Sequence, residues 1–248
     1  MKSRPQTGFT LVEMAIVLAV ISLILGATLT VLTALQEQRN IEDTKSSLEA
    51  AKDALLGFAV TNGRLPCPAS STSNGIEDPV GGTTSLISCT HPYDGFLPAA
   101  TLGLPNVDDH GYLQDAWHIA ANRVRYAVTI ANTRAATTTD GIKTLGMGSF
   151  TPNLYVCDTA SGITSSSCGT ATTLTSQAVA IIYTLGPNAP NGGTGTDEAA
   201  NLNADPVFVS HTVAYAKDSP ANGEFDDQLL WLSPYTLFNR MVQAGKLP

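Results

Sequence analysis

Glu13 is the only charge among the 27 residues from Phe9 to Leu35, in an otherwise apolar stretch. A carboxylate inside a membrane-length helix costs roughly 2.5–3.5 kcal/mol even on mild insertion scales. It asks for a cationic partner, and the candidate is a new amino terminus made by a cut after Gly8. Four cysteines, Cys67, Cys89, Cys157 and Cys168, offer a second chemistry. No Cys-x-x-Cys pair and no histidine at zinc-ligand spacing accompanies them, so disulfides in an oxidising compartment are expected. Pairing neighbours, Cys67 with Cys89 and Cys157 with Cys168, is the simplest expectation; the other two connectivities stay open. Each closure is worth roughly 3 kcal/mol on the chain-entropy account. His91, His110, His118 and His211 are scattered, and no Gly-x-Ser-x-Gly elbow, phosphate loop, His-Glu-x-x-His or Ser-His-Asp order occurs. The chain reads as a non-enzyme.

The elements that must hold these residues follow from pattern. A basic leader, residues 1–8, precedes the apolar segment 9–35, which is long enough for a transmembrane helix. From 36 to 62 the chain turns polar but keeps Ile41, Leu48, Ala51, Leu55 and Phe58 on one helical face. One continuous helix over about 9–61 is expected, about 80 Å long. Asn62-Gly63 ends it, and Pro66 and Pro68 forbid its continuation. Residues 63–248 then form a globular head. Strands are expected at Val124–Ile130, Asn153–Cys157, Ala178–Leu185, Val207–Tyr215 and Asp227–Leu232, with a long loop over Gly186–Asp205. Ser233, Pro234 and Gly245 bracket a short helix that buries Leu237, Phe238, Met241 and Val242. Trp117 and Trp231 read as core residues. The fold class is α+β: a long N-terminal helix packed on an antiparallel sheet, with long disulfide-closed loops. Net charge is −8, or −10 without Lys2 and Arg4. That acidity repels phosphate backbones, and Arg123, Arg125 and Arg134 read as solvated positions beside a strand, so no nucleic-acid partner is expected.

The run Gly8, Phe9, Thr10, Leu11 and Glu13 resembles the class III signal of type IV pilins and type II secretion pseudopilins. The resemblance implies that a prepilin peptidase cuts between Gly8 and Phe9 and methylates the new terminus. It implies that Glu13 then meets the amine of a neighbouring subunit. Three stretches of the head are similar to the major pseudopilin: Asn62-Gly63-Arg64-Leu65-Pro66, Asp115-Ala116-Trp117 with Val124-Arg125-Tyr126, and Tyr183 to Asn188 with Phe225 to Trp231. Ala116 and His118 stand where that family has Pro and Gly, and a longer insertion splits the last pair. In that family the last loop holds calcium, so Asn188, Asp197, Asp218, Asp226 and Asp227 are candidate calcium ligands here. Asn222 and Glu224 offer further oxygens, and the spacing is not that of an EF-hand.

Many type IV pilins carry a proline where Thr30 stands, and the head is large, which leans toward a minor subunit. The implied function is a structural subunit, a minor pilin or pseudopilin, of a type IV pilus or type II secretion pseudopilus. The implied partners are other subunits, the peptidase, the inner membrane and its assembly platform. The precursor would be single-pass with its head in the periplasm, before entering the filament. The alternative is a filament-displayed binding module, a tip adhesin or DNA-uptake receptor.

Overall fold

In the computed structural model, residues 10–119, 122–191 and 195–247 are described, apart from the side chains of residues 27–31 and 191. The chain divides into two units between Glu42 and Asp43. Among its described residues the first unit consists of Thr10 and the early part of a helix, α1 (Leu11–Asn62). Most of its described side chains face solvent, Leu11 being 90% and Leu23 74% exposed. Among the described residues no helix is long and apolar enough to cross a membrane. The described apolar run stops at Gly26, short of the roughly 20 residues a bilayer core takes. The expected segment 9–35 also draws on residue 9 and on 27–31, whose side chains are not described.

The second unit begins with the remaining turns of α1, whose Leu48, Ala51, Leu55, Leu56 and Ala59 are buried. Phe58, expected on that face, is half-buried under the Arg64 guanidinium, 5.1 Å from its ring centre. The helix stops where expected. Gly63 takes φ +68°, a left-handed conformation suited to glycine, and donates its N–H to the Ala59 carbonyl at 2.9 Å.

After α1 come β1 (Gly95–Phe96), α2 (Ala99–Leu102), β2 (Arg125–Val128), α3 (Ala131–Arg134), α4 (Gly141–Leu145) and β3 (Leu154–Cys157). Then follow β4 (Thr173–Ala178), β5 (Ala180–Thr184), α5 (Thr196–Ala200), β6 (Val207–Val209), β7 (Gln228–Leu232) and α6 (Pro234–Gln243). An antiparallel sheet has the order β1-β2-β5-β7, with Ile181 opposite Trp231 and Tyr126 opposite Ile182. It is joined by a second, mixed sheet, β4-β3-β6, in which β3 and β6 run parallel. The architecture is α+β with a long N-terminal helix, pilin-like in plan.

Strand alternation explains the layering. Tyr126, Val128, Ala180 and Ile182 turn one face of the antiparallel sheet into the core shared with α1 and α6. Ala127, Ile181 and Tyr183 turn the other face toward Leu154, Val156 and Phe208 of the mixed sheet. β5 is therefore covered on both sides and all five of its residues are buried. α6 begins as read from sequence: the Ser233 hydroxyl accepts from Tyr235 N at 3.2 Å, and Pro234 opens the first turn. Its buried face is Leu237, Phe238 and Met241, whereas Val242 is 42% exposed. Both disulfides join sequence neighbours, Cys67–Cys89 and Cys157–Cys168, with Cα separations of 5.4 and 5.5 Å. The expected strand 207–215 shortens to β6, and the expected loop 186–205 contains α5.

Candidate functional site

Gly8 and Phe9, the expected cut and methylation positions, lie outside the described residues. Glu13 lies within them. Thr10 precedes the first turn of α1, and Glu13 is the third residue of that turn. The Glu13 carboxylate accepts from Thr10 N at 2.8 Å and from Thr10 Oγ1 at 2.9 Å, while Glu13 N donates to Thr10 Oγ1 at 3.2 Å. This reciprocal pair is a capping box, which satisfies donors left open at a helix start. Thr-x-x-Glu before an apolar run was a legible sign of it, missed because the charge alone drew attention.

A second site forms where three loops converge in the head. The turn after β5 brings Asn188, the first turn of α5 brings Glu198, and the approach to β7 brings Asp226 and Asp227. Glu198, Asp226 and Asp227 are all buried, and carboxylate oxygens of the three lie within 4.8 Å of one another. Glu198 Oε1 accepts from Asn188 Nδ2 at 2.8 Å and from Asp226 N at 3.1 Å, and Oε2 accepts from Gly195 N at 3.2 Å. Asp227 Oδ2 accepts from Asn201 Nδ2 at 2.7 Å. Three buried oxygens, Asn188 Oδ1, Asp226 Oδ1 and Asp227 Oδ1, have no protein hydrogen-bond partner.

Burial, then the charges of Glu198 and Glu224, push the Asp226 carboxyl up to about 7. Burial pushes Asp227 well above the usual carboxylate range, against the Asn201 hydrogen bond that lowers it. The backbone also closes tightly here. Gly186 has φ +65°, and a Cβ there would lie 2.2 Å from Asp226 Oδ1.

Of the five predicted ligands, Asn188, Asp226 and Asp227 are brought together and Asp197 and Asp218 are not. Asp197 is next to Glu198 on α5, and adjacent helical side chains point about 100° apart. Asp197 instead accepts from Ala160 N at 2.5 Å, meets His211 Nε2 at 3.1 Å and takes bonds from Asn222 Nδ2. Asp218 sits on an exposed 3-10 turn, Ala216–Asp218. Glu198 was missed because α5 was read as loop. The donor set is all oxygen, anionic and short of hydrogen bonds, which fits a hard cation such as calcium.

The remaining candidates have other partners. Arg123 donates to Asp108 at 2.7 Å, Arg125 to the Asp94 carbonyl at 3.3 Å and Arg134 to the Ser85 carbonyl at 2.8 Å. Trp231 is 37% exposed and Trp117 half-buried, so neither is the core residue expected.

Residues 3–29 match the family model for the prokaryotic N-terminal methylation motif, the class III signal peptide of type IV pilins and pseudopilins. The match spans Gly8, Phe9 and Glu13. No curated protein and no solved structure matches the chain.

Proposed function

We propose that the chain is a structural subunit, a minor pilin or pseudopilin, of a type IV pilus or type II secretion pseudopilus. The methylation motif at residues 3–29 carries this reading. A prepilin peptidase cuts after Gly8, and Phe9 becomes an N-methylated first residue. The apolar half of the helix holds the precursor in the inner membrane with the head in the periplasm, because such a surface is stable only in lipid or among its own kind. An assembly platform then lifts the subunit into the filament. There Glu13 neutralises the amine of an adjacent subunit's Phe9, and a buried polar pair of this kind can fix register.

In the head, Asn188, Glu198, Asp226 and Asp227 would hold calcium. The cation supplies positive charge to a carboxylate cluster that otherwise keeps protons. These residues then tie α5 and the turn after β5 to the start of β7.

One observation favours a second role, display of a binding surface. Val80 and Leu86 are 78% and 93% exposed on the loop closed by Cys67–Cys89. Thr83 Oγ1 anchors that loop by hydroxyl contacts to Thr137 and Thr138 at 2.9 and 2.8 Å.

The structural reading is tested by shearing cells and analysing the released fibres by mass spectrometry. A peptide beginning with N-methylated Phe9 is expected. Recovery of the chain only from membranes, with residues 1–8 intact, overturns the reading.

A further inference from the structure

We propose that Asn122 is a positioning residue that ties the carboxylate cluster to α1, so that a divalent cation in the cluster sets how the helix is seated at Thr44. This rests on the calcium reading of that site. Asn122 is fully buried, and its single amide nitrogen serves two acceptors, the Gly186 carbonyl at 2.6 Å and Asp115 Oδ2 at 2.8 Å. One bond leads to the turn after β5 and the other to the loop that touches α1.

On the cluster side, the Gly186 peptide lies against Asp226. A Cβ on Gly186 would stand 2.2 Å from Asp226 Oδ1 and 2.7 Å from Asp226 O. Asp226 Oδ1 is also one of the buried oxygens without a hydrogen bond. The Asp226 carboxylate accepts a backbone hydrogen bond from Asn188, so it is Oδ1 that is left without a partner, and a cation would draw that oxygen in. Close packing leaves the Gly186 peptide no room to ignore the movement.

On the helix side, Asp115 Oδ2 also accepts from Thr184 Oγ1 at 2.6 Å, and Asp115 N donates to the Asn122 carbonyl at 3.2 Å. The next residue, Ala116, donates its N–H to Thr44 Oγ1 at 3.1 Å. Thr44 is 1% exposed on α1. The hydrogen bonds thus run from the wall of the cluster through one amide to a buried hydroxyl on the helix. Asp115 and Asn122 are cross-linked within one loop, and that loop is bonded to the turn after β5 on one side and to α1 on the other, so displacement at one end loads the next bond. In a low-dielectric interior such bonds are costly to leave unmade.

The test compares the full chain in detergent micelles with calcium and with a chelator, reading hydrogen exchange at 44–50, 115–118, 186–190 and 225–228. In the wild type, calcium is expected to slow exchange at all four segments, by about fivefold or more at 44–50, the low end of ordinary site-to-site coupling. In Asn122→Ala, calcium should still protect 186–190 and 225–228 while the ratio at 44–50 falls toward one. Thr44→Val keeps the shape, removes the hydroxyl that accepts from Ala116 N and carries the same expectation should Asn122→Ala fold poorly.

A purely structural role for Asn122 would raise exchange equally with and without calcium, leaving the ratio intact. An intact ratio in both variants overturns the proposal. So does a wild-type helix that calcium never protects while its loops respond. Absence of any calcium-binding heat in the wild type removes the calcium reading itself, and this inference with it.

Discussion

The Glu13 side chain has two calls on it. It closes the capping box with Thr10, and both of those bonds go to Oε2. In the proposed filament it also faces a neighbour's amine. The two roles separate cleanly by substitution. Glu13→Gln keeps an acceptor oxygen for the helix start but carries no charge; Glu13→Ala removes both. Loss of the cap alone costs about 0.5–2 kcal/mol, and it is felt at a solvent-exposed helix end. Loss of the charge leaves an amine unneutralised in an apolar bundle, which is costlier. Both variants are therefore expected to be cut at Gly8 and to fall at least about tenfold in sheared fibres, the equivalent of roughly 1.4 kcal/mol. Quantitative mass spectrometry of fibres and membranes reads this directly. Wild-type incorporation of Glu13→Gln beside failure of Glu13→Ala would reduce Glu13 to a helix cap.

Between elements, the junction that matters is the exit of α1 into the first disulfide loop. Arg64 and Glu77 meet there in two hydrogen bonds of 2.7 Å, with side chains only 6% and 5% exposed. Cys67 N and Gly81 N donate to the same carboxylate at 3.2 and 3.1 Å. Glu77→Gln leaves a buried guanidinium without its counter-charge, a loss of about 3–5 kcal/mol. For a head of this size the melting temperature should drop by about 6–20 °C, measured by circular dichroism. An unchanged melting temperature would show that the disulfide and the helix packing hold the junction without the ion pair.

The end of α1 was legible because Asn62-Gly63 and the prolines at 66 and 68 act locally, as do Ser233, Pro234 and Gly245 around α6. β5 was legible from its apolar run. β4 was not: Thr173–Ala178 is mostly polar and exposed, and it is a strand only because β3 pairs with it. The parallel pairing of β3 with β6 was equally hidden, since no local pattern fixes partners so far apart. At the acidic site Asn188, Asp226 and Asp227 were legible from resemblance. Choosing Glu198 over Asp197 needed the helix that decides which of two adjacent carboxylates points inward.

For the molecule as a whole, the acidic site makes stability depend on pH and, on the proposed reading, on calcium as well. The ordinary aspartate carboxyl titrates near 3.9, and Asp226 in the folded chain near 7. Between those values the native state binds more protons than the unfolded chain, so stability falls as pH rises through the window. Asp227, raised in the same direction by burial, adds to the trend. Calcium bound at the proposed site would reverse the penalty by replacing those protons. At a hundredfold excess over its dissociation constant it should add about 2.7 kcal/mol, about 5–11 °C of melting temperature. Protons compete for the same oxygens, so this gain should be large at about pH 8 and small at about pH 5. Thermal unfolding of the purified full chain, with calcium and with chelator at both pH values, measures all four states. Asp226→Asn should flatten the pH dependence of the chelated protein and weaken the calcium effect. A calcium-induced rise of equal size at the two pH values would mean that the ion binds somewhere other than this cluster. The buried carboxylates would then be left as a protonated group that weakens the subunit at neutral pH.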